Sequence, residues 1–493
     1  MVLIGVTGGV GQGKTSLLEQ LAAWHAGRGG HLEGFLARAG GRSPHGGGAD
    51  RYDLRMLGDG RQLPFAVREP AAGIPYRINP DTVRELARWS SSLGRLRPGT
   101  LVVFDEFGPL EAAGGGHAPL VGPVLAAGPE IVVVAVRRGV EERAERLLGR
   151  RFDAVVDAAS PGAWDLLRSI CSEHRDWTRV GVYGAGAGGI EATAGAVLHG
   201  TQVPMRGLLL SSTQSVVMTF AAEGLGRRSR VVWVSLIAAS LKALSPSGSR
   251  VRPMLAITLQ GMLYAAAVSL LGWSWAGVGL GGFLVGFWSA VQGVLLQYLL
   301  MGGEMLRAYD AILAWVAARL ALRPPEFAVL AALWALFCGL GAGAATLLAW
   351  RRRRRIPARL ARILDRGPML EAGRGLPPSP GRAFAQGGRD LLRPFFWLPL
   401  GIVAAVILAA GSPLESVLWL ILRASAVAFV LFSLVRSFDP ARFVAWLKKR
   451  GDWGPALAYR RALERNPEGA PPGGGGAPAG GAPPTDPSGE GPG

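Results

Sequence analysis

Two cysteines in 493 residues, Cys171 and Cys338, leave no material for a disulfide-built scaffold. No Cys/His spacing of the zinc-ribbon kind accompanies them. Charge is also scarce, at 18% of residues against 49% hydrophobic. Long apolar runs and a mean hydropathy of +0.27 exclude a wholly soluble protein and wholesale disorder. Acids are fewer than bases, 35 against 53, for a formal net charge of +18. Such an excess suggests nucleic acid, but its position argues otherwise. The densest run, Arg351 to Arg355, directly follows an apolar stretch ending at Trp350, where the positive-inside rule puts arginine. No basic motif is interleaved with aromatics, so membrane orientation is the better account and no nucleic-acid partner is expected. Lysine is the rarest base, present only as Lys14, Lys242, Lys448 and Lys449. In a composition that favours arginine, a retained lysine hints at a site where a flat guanidinium does not serve.

Residues 1–170 read as a soluble α/β unit. Val2 to Val6 is a short apolar run entering a glycine-rich turn, and Lys14 to Ala26 has helical spacing through Leu17, Leu18 and Leu21. Further strands are expected around Leu36 and over Tyr52–Leu57, Leu101–Phe104 and Ile131–Val136, with helices over Pro80–Ser90 and Val140–Leu148. Alternation of this kind predicts a mostly parallel sheet covered by helices on both faces. Gly40 to Gly48 reads as a mobile loop. No cleavable signal peptide is expected at the start, so the unit should face the cytosol.

After a linker, or the start of the membrane domain, at 171–202, the character changes. Apolar spans of bilayer length occur at 251–272, 276–300, 326–350, 394–410 and 413–437, with shorter or more polar candidates at 203–222 and 231–243. Trp273, Trp275, Trp350 and Trp397 sit near span ends as interface anchors. Five to seven crossings are expected in an all-α polytopic domain: membrane helices over 203–350, a cytoplasmic basic loop at 351–393, a hairpin at 394–437, and a cytoplasmic basic segment at 438–466. Residues 467–493, mostly Gly, Pro and Ala, predict a disordered tail. The expected location is the cell membrane, multi-pass, with both termini in the cytoplasm.

Gly8-Gly9-Val10-Gly11-Gln12-Gly13-Lys14-Thr15 fits the pattern G-x-x-x-x-G-K-[ST] between a strand and an amphipathic helix. The glycines let successive backbone N–H groups point at phosphate oxygens, and the helix N-terminus adds its dipole. Lys14 would reach the β- and γ-phosphates, Thr15 would offer its hydroxyl to Mg²⁺, and Ser16 completes the phosphate-binding stretch. The second half of the site is Leu101-Val102-Val103-Phe104-Asp105-Glu106, a buried strand with two carboxylates at its C-terminal end, where parallel sheets bind ligands. Asp105 is suited to Mg²⁺, and Glu106 to orienting or deprotonating a water. Arg137 and Arg138 are the nearest candidates for stabilising transition-state charge, although surface solvation explains most arginines here. His25 and His117 lack ligand-like spacing, and Cys171 has no partners for nucleophilic work.

The stretch Asp105-Glu106-Phe107-Gly108-Pro109-Leu110-Glu111 resembles the D-E-[hydrophobic]-G-P-L-E signature of a small P-loop family, the broad-specificity nucleoside-triphosphatases that include a human cancer-related member. Gly34-Phe35-Leu36 and Tyr52-Asp53-Leu54 are similar to that family's "GF" strand and "G-Y-D-L" segment, with Arg51 where the family has glycine. The resemblance covers about residues 1–165. It implies an α/β P-loop fold and Mg²⁺-dependent hydrolysis of ATP or another nucleoside triphosphate to the diphosphate. It also carries phosphate binding to Gly8–Thr15 and the acidic pair to Asp105 and Glu106. Glu111 reads as a cap or brace of the acidic loop.

Within the spans, Gln260, Gln292, Gln297 and Arg423 are costly in lipid and serve either function or helix–helix hydrogen bonding. Lys242 to Pro246 reads as a helix break near a polar cavity. The leading expectation is a membrane-anchored NTPase coupled to, or regulating, a fused module for a small transported solute. The alternatives are a P-loop kinase with residues 38–51 as its lid, and a membrane protein with a nucleotide-sensing domain. An L-S-G-G-Q-type signature is lacking, which argues against the usual ABC ATPase.

Overall fold

The computed structural model describes residues 1–40, 50–69, 74–193, 205–244, 251–320, 325–353, 394–409, 413–436 and 440–464, with a few isolated positions between them. The loop expected at 40–48, most of the basic loop at 351–393 and the tail at 467–493 therefore lie outside the described residues. Eight strands build the first unit: β1 (Val2–Gly8), β2 (Leu32–Gly40), β3 (Arg51–Met56), β4 (Gln62–Glu69), β5 (Ile74–Ile78), β6 (Leu101–Phe107), β7 (Ile131–Arg137) and β8 (Ala154–Asp157). They lie in the order β5-β4-β3-β2-β6-β7-β1-β8. The five strands from β2 to β8 run parallel, and β3, β4 and β5 extend the sheet antiparallel.

The pleat sends alternate residues to opposite faces, and both faces are covered. Val2, Ile4 and Val6 of β1 bury with Leu17, Leu18 and Leu21 of α1 (Lys14–Ala26). Leu3 buries on the other face with Leu86 of α2 (Pro80–Ser92), Val124 of α4 (Val121–Ala126) and Ala144 of α5 (Glu141–Leu147); α3 is the short Pro109–Ala112 turn. The fold is thus a mixed, mostly parallel α/β sheet. Three strands went unread in the sequence. β4 carries Pro64 and ends on Arg68 and Glu69, β5 has five residues and β8 four, so none has a long apolar alternation.

Helix α6 (Ala163–Ala192) runs through the boundary expected at residue 170. Its N-terminal half packs Leu167 and Ile170 beneath the sheet, while Val180, Tyr183 and Ala187 join the helical region. The glycine-bearing stretch from Gly181 to Ala192 is helical because neighbours need its bare backbone. A Cβ at Gly181 would stand 2.5 Å from Ala458 O, one at Gly184 2.8 Å from Ile237, and one at Gly188 3.0 Å from Leu241. Packing overrides the roughly 1 kcal/mol that each glycine costs in a helix.

The remainder is largely helical: α7 (Arg206–Glu223), α8 (Val231–Leu244), α9 (Val251–Leu271), α10 (Trp275–Met301), α11 (Gly303–Arg319), α12 (Phe327–Arg352), α13 (Pro394–Ala409), α14 (Leu414–Arg436), α15 (Pro440–Arg450) and α16 (Trp453–Glu464). Among the described residues, three helices are long and apolar enough to cross a membrane: Pro253–Leu271, Trp275–Met301 and Phe327–Arg352. The apolar stretch Leu400–Ala409 is shorter. Helices α7 and α8, near the two more polar candidates, pack into the same bundle, α7 mainly against α12 and α10, and α8 mainly against α6 and α9.

Helices α10 and α12 meet through small residues. A Cβ at Gly286 would overlap Cys338 O, and one at Gly339 would stand 2.7 Å from Phe283. Such close approach is how helices associate where lipid removes the hydrophobic drive. Hydrogen bonds join the bundle as well: Thr346 Oγ1 donates to Ser215 Oγ at 2.8 Å, and Thr219 Oγ1 lies 2.7 Å from Tyr264 OH. Arg423 Nε donates to Leu300 O at 3.1 Å, and Tyr309 OH to Gln297 Oε1 at 3.5 Å. Gln260 is buried, and Gln292 bonds within its own helix, to Ser289 O. The Arg423 and Gln297 bonds fit the helix–helix account of the polar groups, whereas that of Gln292 is internal to its helix. Lys242 is buried with its ammonium on Glu191 O at 2.9 Å; the break expected after it lies outside the described residues.

Candidate functional site

β1 ends at Gly8, and α1 begins at Lys14, so the glycine loop sits at the carboxyl end of a strand flanked by β7 and β8 and at the N-terminus of a helix. Gly11 and Gly13 have φ of 73° and 81°, conformations that side chains resist, and both positions are open to any approaching group. Gly9 N donates to Gln12 Oε1 at 2.5 Å, and Lys14 Nζ donates to Gly8 O at 3.0 Å and Gly9 O at 2.8 Å. The lysine thus bends over the loop. Burial lowers its pKa, opposed by the charges of Glu106 and Asp105. Val10 and Ser16 are exposed.

Strand β6 delivers the acids. Its register against β7 slips between Phe104 and Phe107, which pair with Val134 and Val136, so Asp105 and Glu106 occupy a bulge. Bulges re-aim side chains, and Glu106 has φ 69°, a left-handed conformation costing about 1–2 kcal/mol for such a residue. Asp105 is buried, accepts Ala37 N at 3.0 Å on Oδ2, and accepts the Thr15 hydroxyl. Burial pushes its carboxyl up to about 7 against those hydrogen bonds. Burial also raises Glu106, while Arg137 and Lys14 oppose the rise. The structure therefore brings Lys14, Thr15, Asp105 and Glu106 together across about ninety residues of chain.

The two arginines after β7 differ. Arg138 N donates to Gly8 O at 3.3 Å, and its guanidinium donates to Asp157 Oδ2 at 2.6 Å. Arg137 is instead the charge felt by Lys14, Glu106 and Glu111. Sequence reasoning passed over Glu141. It accepts the Thr7 hydroxyl at 2.5 Å and Gly139 N at 2.7 Å, tying the root of the glycine loop to α5. Its place at a helix start was the available signal. His25 bonds Gly99 O at 3.0 Å on the helix, away from any ligand set. Cys171 is buried, and its thiol is pushed up to about 12, which suits an inert packing residue. His117 lies in a turn, but its side chain enters the core, ringed by Phe35, Phe65, Phe104 and Phe107.

Two comparisons with known proteins find matches to the chain. Residues 3–159 match the sequence model of a family described as NTPase. The solution structure of a human cancer-related nucleoside triphosphatase aligns with 35% of this chain and 95% of its own, at 19% identity and a TM-score of 0.27. The family match is what bears on activity. No curated protein matches the chain. The match of residues 3–159 to that family model implies nucleoside-triphosphatase activity and binding of a nucleoside triphosphate.

Proposed function

We propose that the chain is a membrane-anchored, Mg²⁺-dependent nucleoside-triphosphatase whose turnover is coupled to its helical region. One observation carries the reading: the β6 bulge sets the buried Asp105 carboxylate, held by Ala37 N, beside Thr15 at the start of α1 and within the field of Lys14. Two hard oxygen donors meet there beside a glycine loop, and the Asp105 charge lacks a full counter-charge, a setting that suits a divalent cation. Among the described residues no group of three or more His, Cys, Asp or Glu forms a metal cluster. Remaining ligands would come from phosphate oxygens and water, as Mg²⁺ favours. Bound there, the cation would supply charge neutralisation on the β- and γ-phosphates.

In this reading the backbone of Gly8 to Gly13, with Thr15 and Ser16, cradles the phosphates. Lys14 leaves the loop carbonyls for phosphate oxygens and follows the charge as it develops. Glu106 accepts hydrogen bonds from the attacking water and draws off its proton. Arg137 adds positive charge near the γ-phosphate. The products are the nucleoside diphosphate and phosphate. Coupling would run along α6, which packs beneath the sheet at one end and among the helices at the other. The three long apolar helices would hold the chain in the bilayer, with Arg351 to Arg353 and the sheet unit on the cytoplasmic side.

Phosphate release by the purified full chain tests this. Lys14→Ala and Glu106→Gln should each lower kcat about 100-fold or more. Robust turnover in both variants would remove the catalytic assignment. Transfer of label to an added acceptor would make the chain a kinase, and tight nucleotide binding without turnover would make it a sensor.

A further inference from the structure

The strained bulge at Asp105 and Glu106 has to be held from its C-terminal side, and the chain there doubles back on itself. Glu111 Oε2 accepts Gly108 N at 2.9 Å, closing the turn that follows the acids. Its other oxygen faces His117 Nδ1 at 3.5 Å. Both side chains are almost wholly buried. His117 is an odd choice for this pocket. Its ring lies 5.0 Å from Phe35 and 6.0 Å from Phe107 by centroids, and neither ring nitrogen has a hydrogen-bond partner. A fifth apolar ring would fill such a cage without leaving polar atoms unpaired, so packing alone does not account for an imidazole. What the imidazole adds is a polar edge turned to the Glu111 carboxylate. Gly116, at φ 57°, lets the backbone carrying His117 pass directly beside that carboxylate; a Cβ there would overlap Glu111 Oε1.

We propose that Glu111 and His117 are a positioning pair for the reaction: His117 seats Glu111, and Glu111 holds the turn that keeps Glu106 aimed at the attacking water. Neither touches substrate. This rests on the reading of Glu106 given above, and it goes beyond capping because it assigns the pair an effect on turnover.

The test uses the full chain in detergent, with steady-state hydrolysis, binding of a non-hydrolysable nucleotide analogue, and thermal unfolding measured on each variant. Glu111→Asp keeps the charge but withdraws it by one methylene from Gly108 N–H. It should lower kcat about tenfold while KM and analogue binding stay within twofold and the melting temperature scarcely moves. Glu111→Gln retains a carbonyl acceptor for that N–H and should restore most of kcat. His117→Phe should act like Glu111→Asp, and the double variant should lose little more than either alone, as expected of residues acting in series. In a Glu106→Gln background, Glu111→Asp should cost nothing further. Wild-type kcat in a folded Glu111→Asp protein, or a further tenfold loss on top of Glu106→Gln, would overturn the proposal. A Glu106→Gln protein with wild-type kcat would instead overturn the reading it rests on, so the two failures are distinguishable.

Discussion

Asp153, just before β8, forms an ion pair with Arg460 of the last described helix, its Oδ1 lying 3.2 Å from Nη1. Its Oδ2 accepts Leu3 N at 2.9 Å and lies 3.5 Å from Arg461 and 3.4 Å from Arg150. Arg460 also donates to Arg151 O and Phe152 O, and Arg461 to Met1 O. The C-terminal helix α16 thus grips the sheet unit at the amino ends of β1 and β8, opposite the glycine loop. Asp153→Ala would leave a strand amide and three arginines without their carboxylate. Breaking a buried pair costs about 3–5 kcal/mol; partial exposure of the arginines reduces that to about 2–4 kcal/mol. Thermal unfolding should show the loss, and Arg460→Ala should show a smaller one. An unchanged melting temperature for Asp153→Ala would contradict this account of the clasp.

Acid should weaken the fold through His117. Burial among phenylalanines lowers its pKa to about 3 from an ordinary 6.5. The folded imidazole therefore stays neutral where the unfolded one is protonated, so the unfolded state binds more protons between those values. Stability is whole above about 6.5 and falls as pH drops, by at most about 1.4 kcal/mol per unit. Glu111, raised by burial, acts in the opposite sense, but it is common to the wild type and a His117→Leu variant. Unfolding measured from pH 7 to pH 4 should thus fall less steeply in His117→Leu. Parallel curves would refute the assignment.

Gly34 is where the "GF" strand passes closest to its neighbour. With φ 94° and Val103 O in the space of any Cβ, an alanine here must push β2 from β6. Gly34→Ala should cost about 3 kcal/mol or more, read as lost thermal stability or poor expression. Gly29, with similar φ but open space, is the control: alanine there should cost only about 1 kcal/mol.

The α10–α12 seam makes a separate prediction. Gly286→Val puts a branched side chain against Cys338 O and Ala342, so the helices must part. A loss of about 1–3 kcal/mol is expected, seen as lower melting temperature in detergent, whereas Gly303→Ala, which meets nothing, should be near neutral.

Much of the site was legible locally. A phosphate loop is a run of adjacent residues whose geometry is set by glycine sterics and the helix that follows, so Gly8 to Thr15 announces itself without a neighbour. The β6 acids could be read because a buried parallel strand is a plain apolar run. The bulge at Glu106 could not, because it exists only as a mismatch with β7. Glu111 was recognisable as a brace from its motif, but His117 lies six residues on, and its purpose depends on phenylalanines from three strands.

Sequence alone determined the elements whose cause is local: the glycine cradle, the apolar strands beneath it, and helices long and greasy enough for a bilayer. Tertiary structure alone decided which helix owns the glycines after Tyr183, which arginine faces the acids and which is spent on Asp157, and that the far end of the chain closes on Asp153. Periodicity and sterics act between neighbours along the chain, whereas close packing and charge pairing act through space, and no residue carries a record of its distant partner.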